Sequence, residues 1–299
     1  MNQVVLLGVD WGSSSVRAFA IAPDGGAVAV KRAEDGVFTA DGAFDQRLRR
    51  LLGDWLERWP AAPVLLCGMI GSDRGWVHAP YVEGPAGIGE LAGALVSARF
   101  ERTARIVPGV CVARGDACEV MRGEETLLMG LATRAAHAVV CLPGTHSKWA
   151  DLAGGRIADF RTYMTGELRA LLLSHGSLAA TVAQVPSRDA FLAGFAAAKE
   201  DGAPTRTLFQ ARARRLLGRL APEHTAAFVS GVLIGAEMAG EADAATSVLL
   251  AARGDLADAY GAALGAADRD FVVVDPEQLA ASGLLRIAAA AGLVAHESM

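Results

Sequence analysis

Short apolar stretches separated by turn residues open the chain. Val4 to Val9 is apolar, and after a Gly/Ser turn a second apolar stretch runs from Val16 to Ile21. Pro23 to Gly26, which contains an Asp-Gly pair, then leads into Ala27 to Lys31. Because Asp-Gly favours the tight turns of hairpins, this spacing predicts three consecutive strands.

The pattern then alternates between helical and strand periods. Phe44 to Trp59 has the spacing of an amphipathic helix, and Val64 to Ile70 that of a buried strand. A further helix is predicted from Gly89 to Phe100, and a strand from Arg105 to Val107. Residues 115–136 are predicted as a polar, helical segment that precedes a strand from Ala138 to Leu142.

The second half of the chain repeats the layout of the first. Two strands on either side of a Gly-Gly turn, alanine-rich helices, two later strands and a terminal helix are predicted at 149–152, 156–162, 166–245, 248–251, 271–275 and 276–290. One strand meander in each half predicts an α/β protein with domains 1–134 and 135–299. Whether the terminal helix returns to the first domain stays open.

Composition and charge exclude several classes of protein. The chain has 299 residues and a formal net charge of −5, which argues against a broad basic surface for nucleic acid or anionic lipid. About 18 uninterrupted apolar residues, the length that spans a bilayer, occur nowhere. The first ten residues also lack the positive region of a signal peptide. We therefore expect a cytoplasmic protein with no nucleic-acid or membrane partner.

The first strand ends in a small-residue turn that suits a phosphate group. Asp10 is followed by Trp11 and by Gly12, Ser13 and Ser14. Small residues let backbone N–H groups approach a phosphate, and a carboxylate such as that of Asp10 can hold Mg²⁺ through water. The alternative is an ordinary hairpin turn in which Asp10 serves only as a turn-former.

A second turn of the same kind follows the strand at 138–142. It reads PGTHSKW, and its candidate phosphate-binding residues are Gly144, Thr145, His146 and Ser147. Lys148 adds a cation that can touch phosphate as a point charge. Two such turns, one in each half, could clasp the same phosphate chain. The alternative is a solvated lysine beside a core-facing histidine.

A glycine-containing apolar segment lies near the end of the chain. Ser230 to Glu237 reads SGVLIGAE, and Gly231 and Gly235 could line a helix start that accepts a flat adenine ring. Glycine-rich helix starts are common, so this segment alone is weak evidence.

Charged residues between the two turns offer catalytic groups for phosphoryl transfer to a hydroxyl. Such a reaction needs a carboxylate that accepts the hydroxyl proton, and Asp116, Glu124 and Glu125 are the candidates. Adjacent helical residues point about 100° apart, so Glu124 and Glu125 cannot both face one site. Arg122 could hold an anionic substrate group. The alternative is a solvated helix face.

Two further segments combine hydrogen-bonding side chains with glycine, as a polar ligand with several hydroxyls requires. Loop-structural roles are equally open for them. Their candidate substrate-binding residues are Ser72, Arg74 and Trp76 in the first segment and Arg161 and Glu167 in the second.

These segments together resemble the 2-dehydro-3-deoxygalactonokinase family, which lies within the superfamily of sugar kinases, heat-shock 70 proteins and actin. The resemblance covers nearly the whole chain through VDWGSSSVRAF, CGMIGSDRGW, VMRGEET, LPGTHSKW, YMTGELRALL and SGVLIGAEM, in that order. Each segment alone is modest, whereas the ordered set is specific.

The resemblance implies two ribonuclease-H-like lobes around a cleft that holds ATP and Mg²⁺, and a small-molecule substrate. It implies transfer of the γ-phosphoryl group to the 6-hydroxyl of 2-dehydro-3-deoxy-D-galactonate, in galactonate or galactose catabolism. A homodimer is one candidate assembly. The family's first turn commonly reads Thr-Thr-Asn where this chain has Ser13-Ser14-Ser15. The superfamily places the base on the helix before the second turn, which indicates Glu124 or Glu125, with Asp116 as the rival.

Two other functions remain in competition. GEE ahead of a phosphate turn resembles exopolyphosphatases, although a polyphosphate substrate calls for a basic channel that a net charge of −5 disfavours. A non-catalytic, nucleotide-dependent sensor of the same fold is the other.

Overall fold

The structure, a computed structural model, describes residues 3–39, 42–132, 135, 137–179, 181–241 and 247–295. The chain forms two compact units. The first contains residues 1–137, 150–160 and 275–299, and the second contains 138–149 and 161–274. The predicted division into domains 1–134 and 135–299 stays a prediction.

The strands fall into three sheets. A six-stranded sheet has the order β3-β2-β1-β4-β7-β6, a five-stranded sheet the order β12-β11-β10-β13-β14, and a small sheet the order β5-β8-β9. The strands are Leu6–Trp11 (β1), Val16–Ile21 (β2), Ala27–Ala33 (β3), Val64–Gly68 (β4), Val82–Glu83 (β5), Val96–Ser97 (β6), Ala104–Ile106 (β7), Val110–Arg114 (β8), Ala117–Met121 (β9), His137–Leu142 (β10), Ser147–Ala153 (β11), Arg156–Tyr163 (β12), Ser247–Ala251 (β13) and Asp270–Val274 (β14).

Helices connect and cover these sheets. Within the described residues, none is long and apolar enough to cross a membrane. The α-helices are Phe44–Leu52 (α1), Trp55–Arg58 (α2), Ile88–Gly93 (α3), Glu124–Leu131 (α4), Thr165–Ser174 (α5), Arg188–Asp201 (α6), Pro204–Leu216 (α7), Thr225–Gly240 (α8), Gly254–Ala266 (α9) and Pro276–Ala290 (α10).

The six-stranded sheet is built around β1. Strand β2 pairs antiparallel with β1 and with β3, while β4 pairs parallel with β1 on its other side. All residues of β4 and nearly all of β1 are buried, as expected for central strands covered on both faces. The predicted opening meander of three strands is therefore confirmed.

The terminal helix α10 belongs to the first unit. It has the predicted bounds, with Pro276 in its first turn and an Asp275 side chain that caps Glu277 N at 2.9 Å. A Cβ on Gly8 of β1 would lie 2.7 Å from Leu284 Cδ1, so glycine lets the helix approach the strand closely. Burying each large apolar side chain of such a face contributes about 1.5–3 kcal/mol.

The five-stranded sheet repeats this arrangement of strands. Strands β10, β13 and β14 run parallel to one another. Its strand order β12-β11-β10-β13-β14 corresponds to β3-β2-β1-β4-β7 of the six-stranded sheet. In both orders the earliest strand lies in the middle, with the next two strands on one side and the later strands on the other. Two hairpin-connected strands followed by parallel strands thus occur in both halves.

Four secondary-structure predictions were wrong at least in part. The helix predicted over Gly89 to Phe100 ends at Gly93, and Val96–Ser97 form the strand β6. The helix predicted over 44–59 breaks at Gly53, where φ is +52°. Of the segment 115–136 that was predicted as helical, Glu124–Leu131 forms α4, but 117–121 pairs with 110–114 in the hairpin β8–β9, around a turn at Gly115 with φ +59°. The helix near Gly231 begins at Thr225, so its glycines lie inside it.

Candidate active site

The first turn, residues 12–15, is held by the segment that follows β3. The carbonyl oxygens of Gly12, Ser13 and Ser14 accept hydrogen bonds of 3.0, 3.0 and 3.1 Å from backbone N–H groups of residues 36–38. A Cβ on Gly36 would lie 2.2 Å from Ser13 O, so this contact requires glycine. In the described residues the N–H groups of Ser13 and Ser14 donate to no protein acceptor, which leaves them available to an anion.

Asp10 lies at the end of β1, beside this turn. Its Oδ2 accepts a hydrogen bond of 2.5 Å from Arg17 Nη2, across the β1–β2 ladder. Its Oδ1 faces Gly68, where a Cβ would lie 3.2 Å from Oδ1 and 2.8 Å from Trp11 O. Gly68 also has φ +89°, so both the backbone and the space beside the carboxylate require glycine.

Glu125 is the most deeply buried of the predicted catalytic carboxylates. It lies in the first turn of α4 with no exposed surface. Gly123 N donates to its Oε2 at 2.6 Å, and Thr126 Oγ1 donates to Oε1 at 3.1 Å. Burial, with the Glu124 charge next in size, nevertheless raises the pKa of Glu125 to about 8.

Two glycines connect Asp10 to Glu125. A Cβ on Gly123, where φ is +115°, would lie 3.3 Å from Gly68 Cα, and Gly68 itself abuts Asp10. The Cys67 thiol is buried near both carboxylates, and burial followed by their charges raises its pKa. We call Asp10, Gly68, Gly123 and Glu125 the carboxylate site.

The other two candidate bases have different surroundings. Glu124 is half-buried and accepts a hydrogen bond of 3.1 Å from Arg122 N. Asp116 is exposed in the turn between β8 and β9 rather than on a helix. Of the three, only Glu125 combines full burial with a place beside Asp10.

Ser72 and Arg122 lie next to each other through Gly71, where a Cβ would lie 3.0 Å from Arg122 Nη1. Arg122 Nη2 donates to Ala79 O at 2.8 Å, and its guanidinium stacks 4.3 Å from the Tyr81 ring centroid. Among the described residues, Ser72 Oγ and Arg122 Nε and Nη1 are buried without a hydrogen-bond partner. Unpaired buried groups of this kind are unfavourable unless a ligand or water pairs with them.

Arg74 and Trp76 are not brought to this place. The Arg74 side chain is exposed and stacks 4.3 Å from the Phe38 ring centroid. Trp76 packs edge-on against Phe100, with the ring centroids 6.2 Å apart. Both side chains therefore have contacts that need no ligand.

The second turn, residues 143–146, is held by the start of α5. A Cβ on Gly166 would lie 2.3 Å from Gly144 O, and Glu167 N donates to Thr145 O at 2.9 Å. His146 Nε2 lies 2.5 Å from Glu167 Oε2. As in the first turn, the N–H groups of 144–146 donate to no protein acceptor in the described residues. Lys148, 4% exposed, directs Nζ to His146 O at 3.4 Å.

Glu237 of α8 is a functional candidate that the sequence interpretation missed. Its Oε1 accepts hydrogen bonds of 2.8 Å from Ser147 Oγ and Trp149 Nε1, and its Oε2 accepts from Thr165 Oγ1 and Tyr260 OH. This buried carboxylate thus connects the start of β11, directly after the second turn, to α5 and α9. A lone Glu inside the apolar run SGVLIGAEM was the available signal.

Arg161 and the two late glycines have internal partners. Arg161 Nε and Nη2 each donate to Glu241 at 2.8 Å, and Tyr163 OH donates to the same carboxylate at 2.7 Å. A Cβ on Gly231 would lie 1.9 Å from Phe191 O, and one on Gly235 3.0 Å from Phe195 O. The helix-start argument for an adenine site is therefore wrong, because both glycines serve the packing of α8 on α6.

The carboxyl ends of β10 and β13 share one edge of the second sheet. The second turn follows β10, and Arg253 and Gly254 follow β13 at the start of α9. Gly254 has φ +54° and open space where a Cβ would point. Ligands of parallel sheets bind at this edge. The sequence pattern of a strand, a glycine and a helix over 247–254 indicates such a place, and the sequence interpretation missed it.

Repeated strand order and a phosphate-type turn in each unit define an actin-like ATPase fold of the sugar-kinase kind. A solved structure with this architecture is the activator of 2-hydroxyisocaproyl-CoA dehydratase from Clostridium difficile with bound ADPNP. It matches with a TM-score of 0.52 and 13% identity over 98% of this chain and 99% of that chain. At that identity the likeness concerns the fold alone.

Closer relatives identify the family. The family model described as 2-keto-3-deoxy-galactonokinase matches residues 10–287. The 2-dehydro-3-deoxygalactonokinase of Escherichia coli (strain K12) is 36% identical over 287 residues, 94% of this chain and 97% of the relative. A Sinorhizobium meliloti crystal structure bearing the same kinase name matches with a TM-score of 0.88 and 35% identity, over 98% of this chain and 99% of that one. The chain belongs to the 2-keto-3-deoxy-galactonokinase family.

Proposed function

We propose that this chain transfers the γ-phosphoryl group of ATP to the 6-hydroxyl of 2-dehydro-3-deoxy-D-galactonate, in galactonate or galactose catabolism. Family membership supports the reaction and the small-molecule substrate. The observation that supports the mechanism is the carboxylate site. There Asp10, a carboxylate that could bind a cation, and the buried Glu125 lie on either side of two glycines.

Glu125 is the proposed general base. The pKa of an effective general base lies near the operating pH, and burial raises the pKa of Glu125 to about 8. In its ionised form it accepts the proton of the attacking hydroxyl at Oε1 or Oε2, while Gly123 N and Thr126 Oγ1 fix its orientation. Asp116 is too exposed for this role, and Glu124 is turned to the Arg122 amide.

Asp10 is the proposed Mg²⁺ carboxylate. In the described residues no three Asp, Glu, His or Cys side chains form a closed metal site. That absence fits Mg²⁺, which is usually bound by one or two carboxylates, water and substrate phosphates. The space that Gly68 leaves beside Asp10 Oδ1 fits as well. When bound, Mg²⁺ supplies charge neutralisation to the phosphate oxygens.

Backbone amides are the proposed phosphate ligands in both units. Ser13 and Ser14 offer theirs in the first unit, and Gly144, Thr145 and His146 in the second. Ser147 shapes the second turn through Glu237, and Lys148 adds positive charge beside it. We place the adenosine at the β13–α9 edge, where Gly254 leaves open space.

Ser72 and Arg122 are the favoured substrate ligands, because Ser72 Oγ and Arg122 Nε and Nη1 are buried and have no hydrogen-bond partner in the part of the chain that the structure describes. Arg122 can pair with a carboxylate and Ser72 with a hydroxyl or keto oxygen. His146 and Glu167 offer a further polar pair at the second turn. Arg161, already held by Glu241, shapes the fold instead.

Location and assembly form part of the proposal. ATP and sugar acids of catabolism are supplied in the cytoplasm, where we place the enzyme. A homodimer is the assembly we propose to test, by sedimentation velocity across a range of protein concentrations.

A coupled assay of ADP release tests the function. The purified chain is offered 2-keto-3-deoxy sugar acids, including the galactonate and gluconate epimers, with ATP and Mg²⁺. Release that depends on the galactonate acid is expected, and a signal from none of the acids would refute the kinase assignment. Slow ATP hydrolysis without stimulation would indicate a sensor, and phosphate release from polyphosphate would indicate the exopolyphosphatase alternative.

A further inference from the structure

A row of alternating charges begins at Asp10 and crosses the first sheet. Asp10 of β1 is in register with Arg17 of β2, and Arg17 is in register with Arg32 of β3. Two arginines directly opposite each other on neighbouring strands repel. Glu277 of α10 lies against both of them and removes that repulsion.

The distances give the order of the row. Arg17 Nη2 is 2.5 Å from Asp10 Oδ2, and Arg17 Nη1 is 3.9 Å from Glu277 Oε1. Arg32 Nη2 donates to both Glu277 oxygens, at 2.8 and 2.7 Å. We call Asp10, Arg17, Glu277 and Arg32 the charge row.

Exposure differs along the row in a way that matters for its effect. The side chains of Asp10 and Glu277 are 13% and 15% exposed, Arg17 is 33% exposed and Arg32 is 55% exposed. Charges with little exposure are screened less by water and salt. The effect of Glu277 on Asp10 should therefore exceed the effect of Arg32.

We propose that Glu277 is a positioning residue for the cation at Asp10 and that it acts through Arg17. This inference rests on the proposed function, in which Asp10 holds Mg²⁺. Arg17 orients the Asp10 carboxylate but also competes with a cation for its charge. Glu277 draws on the same guanidinium, so Asp10 keeps more of its charge for the cation. Arg32 in turn engages Glu277 and weakens this effect.

An alternating row predicts effects of alternating sign. Glu277→Gln leaves Arg17 with Asp10 alone, so half-saturation should require about two- to five-fold more Mg²⁺. Arg32→Gln removes one cation from Glu277 and strengthens its interaction with Arg17, so the requirement should fall, by up to about two-fold. A merely structural role would move both variants in the same direction.

Dependence on Arg17 separates this inference from a plain through-space field. In an Arg17→Gln background, Glu277→Gln should no longer change the Mg²⁺ requirement, since the intermediary is gone. In about 0.5 M KCl the shifts of the single variants should shrink, because salt screens partly exposed charges.

The test measures Mg²⁺ binding without turnover. The full-length protein and its variants are titrated with MgCl₂ at fixed ADP, and the midpoint follows from the rise in melting temperature and from calorimetry. Opposite shifts for Glu277→Gln and Arg32→Gln that vanish without Arg17 are expected. Shifts of the same sign, no shifts, or shifts that persist without Arg17 would overturn the inference.

Asp10→Asn distinguishes a failure of the inference from a failure of the proposed function. If Asp10→Asn keeps the Mg²⁺ response of the wild type, Asp10 is not the cation ligand and the proposed function is wrong at this point. If Asp10→Asn loses the response while the other variants behave like the wild type, only the role of Glu277 is wrong.

Discussion

At the scale of single residues, the decisive feature is a carboxylic acid held in an environment that opposes its charge. Glu125 is fully buried, and the hydrogen bonds from Gly123 N, from its own backbone and from Thr126 Oγ1 offset only part of the cost of burying the charge. A base with this pKa is mostly protonated at neutral pH and becomes more effective as the pH rises.

The pH dependence of catalysis should show this. In the wild type, kcat/KM should rise with pH through about 8, because only ionised Glu125 accepts a proton. Glu125→Gln should lower kcat by about 10²–10⁴-fold and remove this limb. Initial rates between pH 6 and pH 9.5, with Asp116→Asn measured in parallel, check this. A Glu125→Gln variant with an unchanged profile would move the base elsewhere.

The stability of the fold should also depend on the ionisation of Glu125, but it should fall as the pH rises, whereas kcat/KM should rise. The folded pKa of Glu125, about 8, lies above the ordinary value of 4.5, so between these values the folded chain binds more protons than the unfolded chain. The favourable contribution is complete below 4.5 and is lost as the pH rises through about 8.

Denaturation by urea at several pH values measures this contribution. Between pH 5 and pH 8 the unfolding free energy of the wild type should fall by a few kcal/mol relative to that of Glu125→Gln. Because the chain has two units, the first-unit transition is the one to follow. A constant difference over this range would contradict the buried, protonated state.

At the scale of elements, glycines decide how closely helices and turns approach. Gly231 and Gly235 of α8 lie against the backbone of α6, and Gly166 lies against the second turn. At none of these three positions is φ in the left-handed region, so the reason for glycine is space and not backbone conformation.

Gly231→Ala tests this packing. The added Cβ would lie 1.9 Å from Phe191 O, so α8 and α6 must separate, which should cost about 1–3 kcal/mol of unfolding free energy. Gly265→Ala in α9 is the matched control, because a Cβ there meets open space. The control should keep or raise stability, by up to about 1 kcal/mol. Equal denaturation midpoints for the two variants would contradict the packing role.

At the scale of the molecule, α10 supports a site on α4 that lies about 150 residues earlier in the chain. Helix α10 packs on α4, where a Cβ on Gly283 would lie 1.8 Å from Thr126 O. Thr126 follows Glu125 directly and donates to it. The position of the proposed base therefore depends on residues more than 150 positions later in the chain.

Gly283→Ala tests this dependence. The variant should push α10 away from α4 and lower the free energy of unfolding by about 1–3 kcal/mol. It should lower kcat and change the KM for the nucleotide much less. Ser282→Ala, one position earlier and half-buried, is the control and should change little. Steady-state kinetics and melting curves of both variants decide. Full activity of a destabilised Gly283→Ala variant would show that the base is held independently of α10.

Much of this protein is determined by its sequence alone. The opening meander, the bounds of α10 and the positions of the two turns follow from apolar periodicity and turn residues, whereas Glu125 was one of three candidate bases that the sequence left open. Those signals are local, because each strand, turn or helix cap is set by a few neighbouring residues.

The tertiary structure alone decided which of these groups meet. Gly68 and Gly123 bring Asp10 to Glu125, Glu237 holds the start of β11, and Glu277 joins Arg17 to Arg32. Hydrophobic periodicity shows that a face is buried but not what covers it. Partners far apart in sequence come together only when whole elements pack, so their contacts leave no local pattern to read.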